Sequence, residues 1–148
     1  VEESKVMRAT LLLVEDNPDD EALALRAFKK CDFAAEVVVV RDGQEALDYV
    51  FSAGEYAGRS GDLPQVVLLD LKLPKVDGIE VLRRMKADER TRSVPVVVLT
   101  TSSEDRDLVE SYRLGANSYV QKPVEFQAFS QAVHQLGLYW LVLNRAKP

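Results

Sequence analysis

Four uninterrupted apolar runs constrain this chain more than any other feature: Leu11-Leu12-Leu13-Val14, Val37-Val38-Val39-Val40, Val66-Val67-Leu68-Leu69 and Val96-Val97-Val98-Leu99. Each is too short for a buried helix, and β-branched valine favours the pleated conformation. A strand that is apolar at every position is buried on both faces, as in a parallel sheet. The strands predicted from these runs are Ala9–Glu15, Glu36–Arg41, Gln65–Asp70 and Val94–Thr100, with a shorter fifth at Asn117–Gln121.

Helical periodicity fills the intervals. Ala24, Ala27, Phe28 and Cys31 recur at i, i+3, i+4 and i+7 after the start signal Asp16-Asn17-Pro18-Asp19, which predicts a helix with Cys31 buried. Asp16 is also placed to cap that helix. Asp42-Gly43 and Asp77-Gly78 open two more helices, with Ala46, Leu47, Val50 and Phe51 on one inward face and Gly78, Val81, Leu82 and Met85 on the other. A fourth helix, capped by Ser102 and Asp105, is expected to bury Leu108, Val109 and Tyr112. Phe126, Phe129, Val133, Leu136 and Trp140 mark a fifth. Strict alternation of strand and helix implies a doubly wound α/β fold, a five-stranded parallel sheet with five helices over its two faces. The segment Ser52–Pro64 is long for a helix-to-strand connection, where about 2–6 residues are usual.

Sheets of this kind bind ligands beyond the carboxyl ends of their strands. The residues at those ends are Glu15 and Asp16, Asp70, Thr100 and Lys122. Three carboxylates, a hydroxyl and an ammonium on one rim suit a cation-dependent phosphoryl site. Clustered carboxylates repel unless a cation or proton neutralises them. Hard oxygen donors with no His or Cys nearby select Mg²⁺, with Mn²⁺ as a substitute. Asp70 can attack phosphorus as a carboxylate, while Lys122 and Thr100 bind the phosphoryl oxygens.

Composition excludes other classes. The net charge of -5 over 148 residues gives no basic stripe for DNA. One cysteine and one histidine, Cys31 and His134, supply neither a disulfide nor a zinc cluster. No apolar segment reaches the ~20 residues that span a bilayer, and Val1-Glu2-Glu3-Ser4-Lys5 is no signal peptide. A cytoplasmic protein without a membrane partner is therefore expected.

The ordered set Val14-Glu15-Asp16, Leu69-Asp70-Leu71-Lys72-Leu73-Pro74 with Asp77-Gly78, Leu99-Thr100-Thr101 and Tyr119-Val120-Gln121-Lys122-Pro123 resembles the receiver domain of two-component response regulators. The likeness implies strand order 2-1-3-4-5 and transfer of a phosphoryl group from a sensor histidine kinase to Asp70. It implies Mg²⁺ bound by Asp16, Asp70 and the backbone carbonyl of Lys72, with Glu15 acting through water. It further implies a Thr100 and Tyr119 switch and a cis Lys122-Pro123 bond. Glu15 departs from the commoner Asp, which lengthens the arm. The Ser52–Pro64 loop and the Asp16-Asn17-Pro18-Asp19-Asp20 segment are similar to the small regulators paired with bacterial and cyanobacterial phytochromes.

One receiver is expected over residues 9–138, between an N-terminal extension, 1–8, and an apolar C-terminal extension of the last helix, 139–148. Ten residues hold no output domain, so output is expected through protein contacts or through phosphate relay onwards to another histidine protein. The apolar run Leu138–Leu143 suggests a homodimer through the fourth helix, fifth strand, fifth helix and tail, anchored by Tyr139, Trp140 and Leu143. Two other functions share the rim: an aspartate-nucleophile phosphohydrolase and a flavodoxin-like flavin binder. The first usually carries a second acid two residues after its nucleophile, where this chain has Lys72. The second needs a Ser/Thr/Gly-rich loop after the first strand, where this chain has Glu15-Asp16-Asn17-Pro18-Asp19.

Overall fold

A computed structural model describes residues 9–31, 35–59, 62–100, 110–121, 126–132 and 134–135. Its strands are β1 (Ala9–Val14), β2 (Ala35–Val40), β3 (Val66–Asp70), β4 (Val96–Thr100) and β5 (Ser118–Gln121). Its principal helices are α1 (Pro18–Cys31), α2 (Gly43–Phe51) and α3 (Gly78–Ala87), and residues 110–113 and 126–132 are also helical. All strand pairs are parallel, in the order β2-β1-β3-β4-β5. The doubly wound α/β architecture expected from the alternating pattern is the one formed.

Strand ends shift by a residue or two from those expected. β4 begins at Val96 and not Val94, because Val94 N–H closes a turn on the Thr91 carbonyl at 3.0 Å and Pro95 has no N–H to pair. The Pro95 carbonyl still joins the sheet margin, accepting from Val67 N–H at 3.0 Å.

The pleat divides each apolar run between two cores. Leu12, Val14, Val67, Leu69, Val96 and Val98 face Ala46, Leu47 and Val50 of α2 and Val81, Leu82 and Met85 of α3. Leu11, Leu13, Val66, Leu68, Val97 and Leu99 face Ala24, Ala27 and Phe28 of α1, with Phe129. Between these layers β3 is buried at every position. Hydrophobic burial on both faces is the main force holding the strand ends in register.

One expected core residue is not in the core. Tyr112 is 48% exposed, whereas its neighbour Ser111 is buried. The small serine takes the inward position and leaves the phenol on the outer side of residues 110–113. Leu108 and Val109 lie outside the described residues, as do Leu136 and Trp140; for Cys31 only the backbone is described.

Candidate functional site

Register places the acids. β1 and β3 pair with Val14 opposite Leu69, so the next residues, Glu15 and Asp70, leave the sheet side by side. Glu15 N–H donates to the Val40 carbonyl at 3.0 Å, which continues the β1–β2 ladder one residue beyond the strand. Leu71 N–H likewise reaches the Leu99 carbonyl at 3.1 Å. The backbone on either side of Asp70 is thus fixed by the sheet.

Glu15, Asp16 and Asp70 bring carboxylate oxygens within 4.8 Å of one another. Glu15 and Asp70 are buried at 1% and 6% exposure, and Asp16 opens to solvent. At an effective dielectric near 20, two like charges 4.8 Å apart repel by roughly 3.5 kcal/mol. A divalent cation among them turns that repulsion into attraction. The donor set consists of hard oxygens and fits Mg²⁺ or Mn²⁺.

Asp16 is not the helix cap. Asn17 performs that role: its Oδ1 accepts from Asp19 N–H at 2.9 Å and Asp20 N–H at 3.1 Å, and its carbonyl accepts from Glu21 N–H at 2.9 Å. Asn17 N–H points back to Glu15 Oε2 at 3.3 Å. With the first turn of α1 satisfied in this way, Asp16 belongs to the rim. Arg41, at the end of β2, grips both Glu21 carboxylate oxygens at 3.1 and 2.9 Å and ties α1 to the sheet.

The loop after β3 packs under Asp70. Lys72 N–H donates to Asp70 Oδ1 at 3.0 Å, while the Lys72 side chain is exposed. Gly78 N–H donates to the Leu71 carbonyl at 3.0 Å. A Cβ on Gly78 would lie 2.3 Å from the Asp70 carbonyl oxygen, so helix α3 approaches the strand end through a residue without a side chain. Asp77 caps that helix, its Oδ1 accepting from Ile79 N–H at 2.8 Å. The sequence marks Asp77-Gly78 as a helix start, as part of the inward face of that helix and as part of the receiver motif set, but not the closeness of the glycine to Asp70. An Asp-Gly dipeptide seven residues past the acidic strand end was the available signal.

Thr100 ends β4 in register with Gln121, and Tyr119 lies in β5 opposite Val98; for both, the description extends to the backbone. β4 and β5 therefore end on the same edge of the sheet as Asp70, β4 beside β3 and β5 one strand beyond. Lys122 and Pro123, and the tail positions Tyr139, Trp140 and Leu143, lie outside the described residues. No helix among the described residues is long and apolar enough to cross a membrane.

Comparison with known proteins agrees with this geometry. Residues 11–134 match the response regulator receiver domain. The probable methanogenesis regulatory protein FilR2 of Methanothrix harundinacea is 48% identical over 136 residues, which are 92% of this chain and 86% of the relative. Response regulator Rcp1 of Synechocystis sp. is 37% identical over 131 residues, 88% of either chain. A solved Mn²⁺-bound form of Rcp1 superposes with a TM-score of 0.81 at 36% identity, over 90% of this chain and 94% of that one. The phosphorylated cyanobacterial phytochrome response regulator RcpA gives a TM-score of 0.83 at 40% identity, over 92% and 96%. These likenesses select the phosphoryl-accepting reading over a phosphohydrolase or a flavin binder. Membership of the family implies a sensor kinase partner, and the acidic rim is a donor set that fits Mg²⁺ or Mn²⁺. The chain belongs to the response regulator receiver family.

Proposed function

We propose that Asp70 is the phosphoacceptor, that Asp16 and Asp70 bind Mg²⁺ directly, and that Glu15 acts through a metal-bound water. The Lys72 backbone carbonyl is the remaining protein ligand. The observation that carries this reading is the convergence of Glu15, Asp16 and Asp70 within 4.8 Å at the ends of β1 and β3. Bound Mg²⁺ supplies positive charge against the phosphoryl oxygens. An Asp70 carboxylate oxygen attacks phosphorus in line with the leaving group. The P–N bond of the kinase phosphohistidine breaks as the O–P bond forms, and its electron pair returns to the imidazole nitrogen. Lys122 and Thr100 bind the transferred group. Thr100 and Tyr119 then form the switch, beside a cis Lys122-Pro123 bond. In this way the chain assists its own phosphorylation; in its dephosphorylation water attacks the phosphorus of phospho-Asp70, the P–O bond to the carboxylate breaks, and Asp70 returns to the free carboxylate.

The partner follows from the same reading. Likeness to RcpA supports a phytochrome sensor kinase as the phosphoryl donor. A kinase of that kind places this receiver, residues 9–138, in the cytoplasm. The apolar tail 139–148 supports a homodimer anchored by Tyr139, Trp140 and Leu143 on the face of the fourth helix, fifth strand and fifth helix. Light scattering on a chain cut after Leu136 tests the dimer: the mass falls to that of one chain, and an unaltered mass refutes it.

The decisive experiment for the acceptor is incubation with acetyl phosphate and Mg²⁺, read by intact mass. The native chain gains one phosphoryl group and Asp70→Asn gains none. Equal labelling of the variant would move the acceptor elsewhere.

A further inference from the structure

Two side chains of the long connection between α2 and β3, Tyr56 and Arg59, are half-buried and tie it to α2. Its 3-10 turn, Gly54–Tyr56, lays the Tyr56 ring edge-on against Tyr49, with centroids 5.1 Å apart at 77°. Arg59 covers Tyr49 at 3.9 Å from the ring centroid, and its guanidinium donates to the Tyr49 and Asp62 carbonyls at 2.6 and 2.7 Å. Those contacts staple the connection to α2. One further contact leads elsewhere.

Tyr56 donates its phenolic hydrogen to Glu45 Oε2 at 2.7 Å. Glu45 Oε1 accepts from Arg41 N–H at 3.0 Å, and Glu45 N–H donates to Asp42 Oδ1, the cap of α2, at 2.7 Å, so Glu45 is tied to both residues at the start of α2. Asp42 Oδ2 lies 3.6 Å from Lys75 Nζ. Lys75 has φ +67° in a turn closed by Val76 N–H on the Pro74 carbonyl at 2.8 Å. A residue with a Cβ rarely adopts that conformation and keeps it only when its surroundings hold it. The same Pro74 carbonyl accepts from Gly43 N–H at 3.3 Å, and Gly43 lies so close to the Val76 carbonyl that a Cβ would stand 1.8 Å from it. The first turn of α2 is therefore the wall against which residues 74–76 are set. Those residues continue directly from Asp70 and Lys72.

We propose that Tyr56 and Glu45 are positioning residues for the cation site: they fix the start of α2, and through Asp42 and Gly43 the loop that presents Lys72 beside Asp70. The Tyr56–Glu45 hydrogen bond then sets cation affinity without touching the cation. The inference rests on the reading of Asp16, Asp70 and Lys72 as the ligands. Groups that hydrogen-bond metal ligands directly change affinity by about 10–100-fold when removed. Tyr56 acts through two further contacts, so its effect is smaller.

The test is Mn²⁺ titration of the full chain by calorimetry, with Tyr56→Phe, which deletes one hydroxyl and no charge. Arg59→Lys is the comparison, since it keeps charge but loses the stacking on Tyr49 and loosens the same connection. Tyr56→Phe weakens Mn²⁺ binding about threefold, below the range for direct partners of ligands, while Arg59→Lys binds as the native chain does. An unchanged affinity in Tyr56→Phe, or an equal loss in both variants, overturns the proposal. Asp16→Asn separates the two levels: native binding that this variant abolishes upholds the ligand reading whatever Tyr56 does. A native chain that binds no Mn²⁺ overturns both.

Discussion

Gly78→Ala is the substitution that most directly probes how the fold positions Asp70, the proposed acceptor. The added Cβ would meet the Asp70 carbonyl oxygen at 2.3 Å, Leu71 Cα at 2.6 Å and the Leu71 carbonyl oxygen at 2.9 Å. All three are backbone atoms, so no side-chain rotation relieves the clash. Restoring ordinary contact requires α3 and the strand end to part by about 1 Å, which also breaks the Gly78–Leu71 hydrogen bond. Overpacking of this kind costs about 1–3 kcal/mol and the lost hydrogen bond about 1 more. For a chain of this size that lowers Tm by about 5–15 °C. The same displacement carries Asp70 out of line, and a misplacement near 1 Å slows an oriented reaction about a hundredfold. Gly58→Ala is the control, because nothing lies within 4 Å of a Cβ there, and its stability should stay within about 0.5 kcal/mol of native. Urea unfolding reads the stability, and acetyl phosphate labelling at a temperature where every variant is folded reads the rate. A Gly78→Ala chain that keeps native stability and native labelling, or a Gly58→Ala chain that falls as far, would refute the reasoning.

Two other predictions follow from the site and its support. Hydrogen bonding to Glu45 first, and burial second, push the Tyr56 phenol up to about 12 from its ordinary 10.0. A raised folded-state pKa stabilises below the unfolded value and is lost as pH rises through the folded one, so Tyr56→Phe should be less stable than native by about 1 kcal/mol at neutral pH, with the gap closing between pH 10 and 12 in urea melts. A gap that persists at pH 12 would deny the bond. Saturating Mg²⁺, at about 100 times its Kd, should add about 2.7 kcal/mol and raise Tm by about 5–10 °C. Chelation should reverse that rise, and Asp16→Asn should show little of it; an equal rise in the variant would place the cation elsewhere.

Much of the fold was legible because burial on both faces leaves an unambiguous mark. Leu11–Val14 and Val66–Leu69 have no polar position at all, and only a strand covered on both sides tolerates that. Legibility weakened where packing, not composition, decides direction. Leu108, Val109 and Tyr112 have helical spacing, yet Tyr112 points outward and the polar Ser111 points in. A phenol keeps its hydroxyl wet at little cost, and a serine fits where a helix lies close to the sheet, so hydropathy alone picks the wrong neighbour. Strand ends were similarly soft: Val94 reads as strand by composition and serves as a turn because Pro95 follows it.

The acidic site was legible for a different reason: its residues sit immediately after the runs that position them. Glu15 and Asp70 inherit their adjacency from the Val14–Leu69 register, so finding the strands found the cluster. What holds the cluster in place was harder to read, since it lies in residues remarkable only for closeness. Gly43 and Gly78 look like ordinary helix starts, yet each admits a backbone carbonyl where a Cβ would stand, one from Val76 and one from Asp70. Asp16 and Asn17 are both plausible caps in sequence, and only the bonds from Asp19 and Asp20 to Asn17 assign the capping to Asn17. That assignment matters for chemistry: a carboxylate spent on two helix amides has fewer lone pairs to offer a cation. The neutral amide of Asn17 takes the structural duty, so the charge of Asp16 stays on the rim beside Asp70.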